Sequence, residues 1–381
     1  MKKIVLFGSS HIVEENLHLR PYCIVDNNPD LQGTAIFGLE IKSPSMLDGA
    51  SDEYDVIVCC TSVGEVRKQL VNYGYTWGNN AYTADALSEV AAIADLEDEK
   101  FNFIISSGLP SSAESFSGGG IHIIRENGDY PTIETVYEGN THGLICLEGG
   151  GFAFACQGKG IVVMNESYDV IKQIAIPKGL RPHGLRQYKD NWVVVCSHGD
   201  CILGVNDKGD EQFSYALSSK MKNYGSSQHH CNDVEIIGDY AYVSMFSVSG
   251  NWKRNVFDGG IVEIDLSSGA KNVLLNTLTM PHNVTHVDDG LFVLDSFKGR
   301  LLGNNYRELA QLPGFVRGFS SNKQYYFLGE SKNRNFSRLC TERSPVSIDS
   351  RITVINKKYA FSRSIPLPLR VSEIHSVINL D

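Results

Sequence analysis

One phrase recurs six times along this chain, and it limits the fold more than any other feature. It consists of a bulky polar residue, an apolar strand, a tight turn and a second strand. The copies read HGLICLEGGGFAFA from His142, HGLRQYKDNWVVVC from His183, NDVEIIGDYAYVSM from Asn232, HNVTHVDDGLFVLD from His282, RGFSSNKQYYFLGE from Arg317 and HSVINLD from His375. Repeats of this period with about four short strands each build a β-propeller, because one such unit cannot bury its apolar faces alone. The sixth copy is a first strand with no partners after it. Three strands, 101–106, 120–125 and 132–137, precede His142 and lack a first strand of their own. The spacing therefore predicts that the C-terminal strand joins them in a split blade. That closure makes an all-β six-bladed propeller over 101–381 and leaves no exposed sheet edge.

Composition narrows the partners. The net charge is −10, and residues 1–100 carry most of it, with 16 Asp and Glu against 7 Lys and Arg. Neither half offers the basic surface that nucleic acid or an anionic membrane requires. Nine cysteines show no CxxC spacing, and most sit in apolar strand runs, where free Cys behaves as a small hydrophobe. The opening MKKIVLFG has an apolar run of four residues and reads as a first strand, not a signal sequence. No segment approaches the roughly 20 apolar residues of a membrane span. These features lead to the expectation of a cytoplasmic chain with neither a nucleic-acid partner nor a membrane span.

Residues 1–98 follow a different logic, alternating strand and helix. Ile4–Phe7 reads as a buried strand that ends in Gly8-Ser9-Ser10-His11, and Tyr22–Val25 as a second that ends at Asp26. A short strand around Ile41, a strand over Asp55–Cys60 and a helix over about 62–74 follow. Leu87, Val90, Ala91 and Ala94 give 81–98 helical spacing. In a doubly wound fold, backbone N–H groups at the first turn cradle phosphate, and an acid after the second strand meets a ribose hydroxyl. Gly8, Ser9, Ser10, His11 and Asp26 are accordingly the candidate cofactor-binding residues. A single glycine stands where the dinucleotide fingerprint has three, which points away from NAD.

The text FGSSH…CIVDNNPDLQG…GLEIKSPSML…YDVIVCC resembles the Rossmann-like domain at the front of bacterial sugar acyltransferases. Gly8 and His11 match that family's turn, while Ser10 replaces its second glycine. The resemblance implies a nucleotide or nucleotide sugar and a role in cell-surface polysaccharide biosynthesis. A vestigial domain used for oligomer formation is the alternative. The blade text PHGLRQYKDNWVVVCSHGDCILGVNDKG resembles an NHL-type repeat, and most of 140–381 is similar to an uncharacterised bacterial propeller family.

Register turns the leading column into a map. His375, His142 and His183 fall on three consecutive blades, His282 lies across from His142, Asn232 across from His375, and Arg317 across from His183. The longer second-to-third strand loops, 107–119, 246–258 and 331–347, share the column's face. Converging neutral imidazoles suit a divalent transition metal (Zn, Fe or Mn), with His142, His183, His282 and His375 as candidate ligands. Axial histidines bind metal in the NHL-like peptidylglycine lyases, an analogy of architecture. The plainer reading is a polar, water-filled channel. Arg317, with donors only, suits a clamp on a carboxylate or phosphate. His230 and Asp233 are candidates for proton transfer. Asn232, Lys332, Arg334 and Arg338, with Arg343, are candidates for substrate contact. Cys196 and Cys201 flank His198 in CSHGDC, which reads as a hairpin more readily than as a metal motif. Two functions follow. One is a metal-dependent lyase, epimerase or hydrolase acting on a small sugar substrate. The other is a non-catalytic module that binds a glycan or a protein.

Overall fold

The computed structural model describes residues 2–109, 118–128, 130–288, 290–332 and 347–381. The chain divides into two compact units, Met1–Glu99 and Lys100–Asp381.

In the first unit, β1 (Lys3–Phe7), β2 (Cys23–Val25), β3 (Ala35–Ile36), β4 (Leu39–Lys42), β5 (Tyr54–Val58) and β6 (Ala81–Thr83) lie in the order β3-β4-β2-β1-β5-β6. β4, β2, β1, β5 and β6 run parallel, and β3 folds back on β4 as a hairpin. Val5–Phe7 of β1, Cys23–Val25 of β2 and Val56–Val58 of β5 are continuous apolar runs, as central strands of a parallel sheet usually are. α1 (Ile12–Glu15) is a single turn, α2 (Val63–Asn72) buries Val63, Val66 and Leu70, and α3 spans Ser88–Asp98. The helix expected over 81–98 is corrected at its start. Residues 81–83 add a strand to the sheet edge, with Ala81 buried and Tyr82 exposed, because their side chains alternate where a helical stripe would not.

Among the described residues of the second unit, six four-stranded sheets follow one another around an axis. Their innermost strands are Thr141–Cys146, Pro182–Tyr188, Cys231–Ile237, His282–Val287, Phe315–Ser321 and Ile374–Asn379. The sixth blade is the split one: Ile374–Asn379 pairs with Asn102–Ser107, which continues to Gly120–Arg125 and Thr132–Glu138. Asp381 fastens the seam by accepting from the backbone N–H of Asn102 at 2.8 Å and from its side-chain amide at 2.7 Å. In each blade the inner three strands are largely buried and the outermost is mostly exposed, as in Pro182–Tyr188 through Glu211–Ala216. Apolar side chains pack between neighbouring blades; Ala153 and Ile161 of the first meet Leu185, Val194 and Leu203 of the second. No helix among the described residues is long and apolar enough to cross a membrane.

All six innermost strands carry a β-bulge at or just after the column residue, for example between Thr141 and Leu144 and between Pro182 and Leu185. A bulge bends the strand and re-aims a side chain. It also forces close approach at the axis. A Cβ on Gly143 would stand 2.7 Å from the His183 carbonyl oxygen, and one on Gly184 would stand 2.6 Å from Asp233 Cα. Glycine after the histidine is therefore a packing requirement in these two blades.

Candidate metal centre

The bulges aim three of the column histidines at one point. One ring nitrogen from each of His142, His183 and His375 lies within 4.8 Å of the others. The ring centroids are 4.2 Å apart for His142 and His183, 4.1 Å for His142 and His375, and 5.2 Å for His183 and His375. All three side chains are buried. Burial, followed by the neighbouring His375 and His183, pushes the His142 pKa well below the usual histidine range. His142 is therefore neutral, the form that ligates a metal.

Each of the three has a polar neighbour of its own. The Gln157 side-chain amide is 2.8 Å from His142 Nε2, Asp233 Oδ1 is 3.6 Å from His183 Nδ1, and Glu373 Oε2 is 3.4 Å from His375 Nε2. Gln157 is itself held by Asn140, whose side-chain oxygen accepts from the backbone N–H of Leu109. Outer partners that fix ring orientation are a usual part of metal sites built from histidine. His142 Nδ1, on the side of the ring away from Gln157, is buried with no hydrogen-bond partner among the described residues. Leaving such an atom unsatisfied costs about 1–3 kcal/mol, a cost that a ligated cation removes. The donor set thus fits a divalent transition metal.

Sequence reasoning overlooked Glu373 and Gln157. Glu373 lies before the last strand, outside the recurring phrase, and Gln157 follows a second strand where no repeat marks it. The signal for Glu373 was the EIH text two residues ahead of His375. Glu373 also stands 3.5 Å from Arg317 Nη1, so Arg317 faces a carboxylate beside the histidines.

The other column residues take different surroundings. His282 lies 6.1 Å from His183 and outside the converging three. Its Nδ1 contacts the Met280 carbonyl at 3.1 Å and Ser296 Oγ at 2.9 Å, and its ring meets Phe246 and Phe315 edge-on. Burial, with Arg317 next, pushes its pKa well down. Asn232 is fully buried and donates to the Pro281 carbonyl at 3.1 Å. Arg317 lies over the Phe315 ring at 4.7 Å. His230 packs between Phe246 and Trp252, at 4.4 and 4.7 Å, and burial with nearby His183 lowers its pKa. Asp233 accepts from the Asn283 backbone N–H at 2.8 Å. It also lines an axial cavity of about 300 Å³, formed with Leu144, Leu185, Phe319 and Ser376 from the residues that follow the column.

The remaining candidates are placed as follows. Lys332 directly follows the second strand of blade five and donates its backbone N–H to the Ser372 carbonyl. Arg334, Arg338 and Arg343 lie outside the described residues. Cys196 and Cys201 face each other across a hairpin, and among the described residues the ligand clustering does not extend to them or to His198. In the first unit, Gly8 and Asp26 sit at the carboxyl ends of β1 and β2. Their polar groups serve local structure. Gly8 has φ +103° and a Cβ there would stand 2.7 Å from Cys60 Cβ. Ser10 Oγ bonds the Cys59 carbonyl and the Ile12 N–H. Asp26 accepts from the Asn28 N–H at 2.8 Å. His11 is exposed at the start of α1, and Ser9 is half-buried before it.

Residues 226–381 match the family described as a domain of unknown function (DUF4915). No curated protein matches the chain. Among solved structures, a chain of a nidogen/laminin complex is 10% identical, with 74% of this chain and 98% of that chain covered at a TM-score of 0.49. A streptogramin B lyase is 13% identical, with 73% and 89% covered at a TM-score of 0.46. A calcium-binding protein, regucalcin, from Agrobacterium tumefaciens is 9% identical, with 60% and 74% covered at a TM-score of 0.43.

Proposed function

We propose that the propeller is a metal-dependent enzyme of the lyase, epimerase or hydrolase kind, with a divalent transition metal held by His142, His183 and His375. The observation that carries this reading is the convergence of three buried imidazoles to within 4.8 Å, each with its own polar neighbour. A bound metal would supply Lewis-acid polarisation of a substrate oxygen or an activated water. The protein's own residues do the rest. Gln157, Asp233 and Glu373 hold the rings. Arg317, beside Glu373, presents its guanidinium to an anionic group. Asp233, between His183 and the axial cavity, is placed to hold or pass a proton.

A second reading, a binding module without catalysis, is favoured by the depth of the histidines, each at most 6% exposed. Elemental analysis of untagged protein tests the metal common to both. About one equivalent of Zn, Fe or Mn is expected; less than about a tenth, unrestored by added metal, would overturn the site. Chemistry on a small substrate that disappears when the metal is chelated then separates enzyme from module.

We also read the first unit as Rossmann-like. Its five parallel strands, ordered β4-β2-β1-β5-β6, support this, as does the meeting of Gly8 and Asp26 at one end of the sheet. With only one turn, α1 presents little helix dipole to a phosphate, so we attach no nucleotide to the unit.

A further inference from the structure

The CSHGDC motif, residues 196–201, takes no part in the metal centre. It forms the hairpin between the second and third strands of blade two, Asn191–Cys196 and Cys201–Val205, and their register sets Cys196 directly opposite Cys201. Side chains alternate across a sheet, so the face each residue joins follows from its place in the strand. Trp192, Val194 and Cys196 share one face with Cys201, Leu203 and Val205, packed against Ala153 and Ile161 of blade one. Val195 and Ile202 take the other face and pack with Cys231 and Val234 of blade three.

The third cysteine nearby is thereby set apart. Cys231 belongs to the second cluster, and what its Sγ meets, at 3.4 Å, is the Cys196 carbonyl oxygen. Cys196 and Cys201 instead share one small space. A Cβ on Gly199 would stand 3.0 Å from Cys201 Sγ and 3.5 Å from Cys196 Cβ. Opposed residues of an antiparallel pair have Cα atoms about 4.5–5.5 Å apart, inside the roughly 4.4–6.8 Å that a disulfide spans. Both thiols are free. Cys196 is fully buried, and Cys201 is 8% exposed. A hydrogen bond from the Cys196 thiol holds Cys201 below the usual thiol range, against the effect of burial. That bond, and then burial, raise Cys196 well above it.

We infer that Cys196 and Cys201 are a redox modification site, a dithiol that hydrogen peroxide converts to a cross-strand disulfide and a small thiol restores. The Cys201 thiolate is the nucleophile. Its sulfur attacks one peroxide oxygen; the S–O bond forms, the O–O bond breaks, and the departing hydroxide takes a proton to become water. Cys196 sulfur then attacks the resulting sulfenic acid. The S–S bond forms, the S–O bond breaks, and the hydroxyl leaves with the Cys196 proton as a second water. Two sulfurs are oxidised and one peroxide is reduced. The bond would cross-link a hairpin that supports two axial strands. Cys196 pairs with Pro182, the residue before His183, and Asp200 accepts from the backbone N–H groups of Gln228, His229 and His230 ahead of Asn232.

Full-length protein is treated with hydrogen peroxide, alkylated in denaturant, digested and read by mass spectrometry. The peptide spanning Cys196 and Cys201 is expected to lose two hydrogen atoms and both alkylation sites, and dithiothreitol should restore them. Cys231→Ser should oxidise as wild type does. Cys196→Ser should form no disulfide and should carry an oxygen on Cys201, because the resolving thiol is gone. A wild-type peptide that keeps both alkylation sites overturns the inference, whatever the variants do. So does a disulfide from either residue to Cys231, or a disulfide at Cys201 that persists in Cys196→Ser. The wild-type measurement needs no variant to fold and no metal to be bound.

Discussion

The two halves of the axial ring are alike in sequence and unlike in structure. His375, His142 and His183, on blades six, one and two, meet within 4.8 Å and have polar neighbours. Asn232 and His282, on blades three and four, turn to backbone carbonyls and, for His282, phenyl rings instead, while Arg317 on blade five lies over Phe315 and faces Glu373. His282 shows the contrast most clearly. It occupies the same bulged position as His142, yet Ser296 takes its Nδ1 and Phe246 and Phe315 crowd its ring. Equivalent backbone placement does not make equivalent ligands. What surrounds an imidazole, a polar shell or an aromatic one, decides whether its nitrogen is available.

The largest effect that can break this contrast is loss of metal. His142→Ala combined with His183→Ala should lower metal content from about one equivalent to below about a tenth, while His282→Ala should retain it. Equal loss in the His282 variant would place that residue in the same centre. On the aromatic side, Phe315→Ala should cost about 3–5 kcal/mol of stability, read from urea midpoints, because its ring is 1% exposed. Metal stoichiometry should be untouched. Gln157→Ala should weaken metal about 10–100-fold without removing it, as loss of an orienting partner does. A competition titration with a chromogenic chelator measures this.

The smallest effect is on pH. His282 has a folded pKa pushed well below its unfolded value of about 6.5. Between those two values the unfolded chain binds a proton that the folded chain does not. Stability of the metal-free protein should therefore fall as pH drops below about 6.5, by about 1.4 kcal/mol per unit for this one residue, until the folded pKa is reached. Urea midpoints at descending pH for wild type and His282→Gln check the sign. A variant with the same slope as wild type would remove His282 as a source.

The residues that could be read early share one property: they belong to the repeat. The column, the blade count and the closing of Ile374–Asn379 onto Asn102–Ser107 all follow from aligned copies of a short phrase, and the six sheets appear as expected. What lay off the repeat stayed hidden. Glu373 and Gln157 precede or follow the phrase. Residues 81–83 misled because Ala and Thr carry no strong signal against a helical stripe that begins a few residues later. The first unit's parallel sheet was foreshadowed by its apolar strands, whereas Ser10 and Asp26 proved to be engaged in local turns.

By itself, the sequence determined that six similar units must stack around an axis, because none could bury its faces alone, and that six polar side chains would line one level of that axis. Only the tertiary structure decided which of them meet. His142 and His375 are separated by 232 intervening residues and become neighbours through ring closure, and a bulge in each inner strand sets the direction of its side chain. Those directions depend on close backbone approach at Gly143 and Gly184 and on the loops packed above. Both are contacts between distant segments, which a periodic pattern within one strand does not encode.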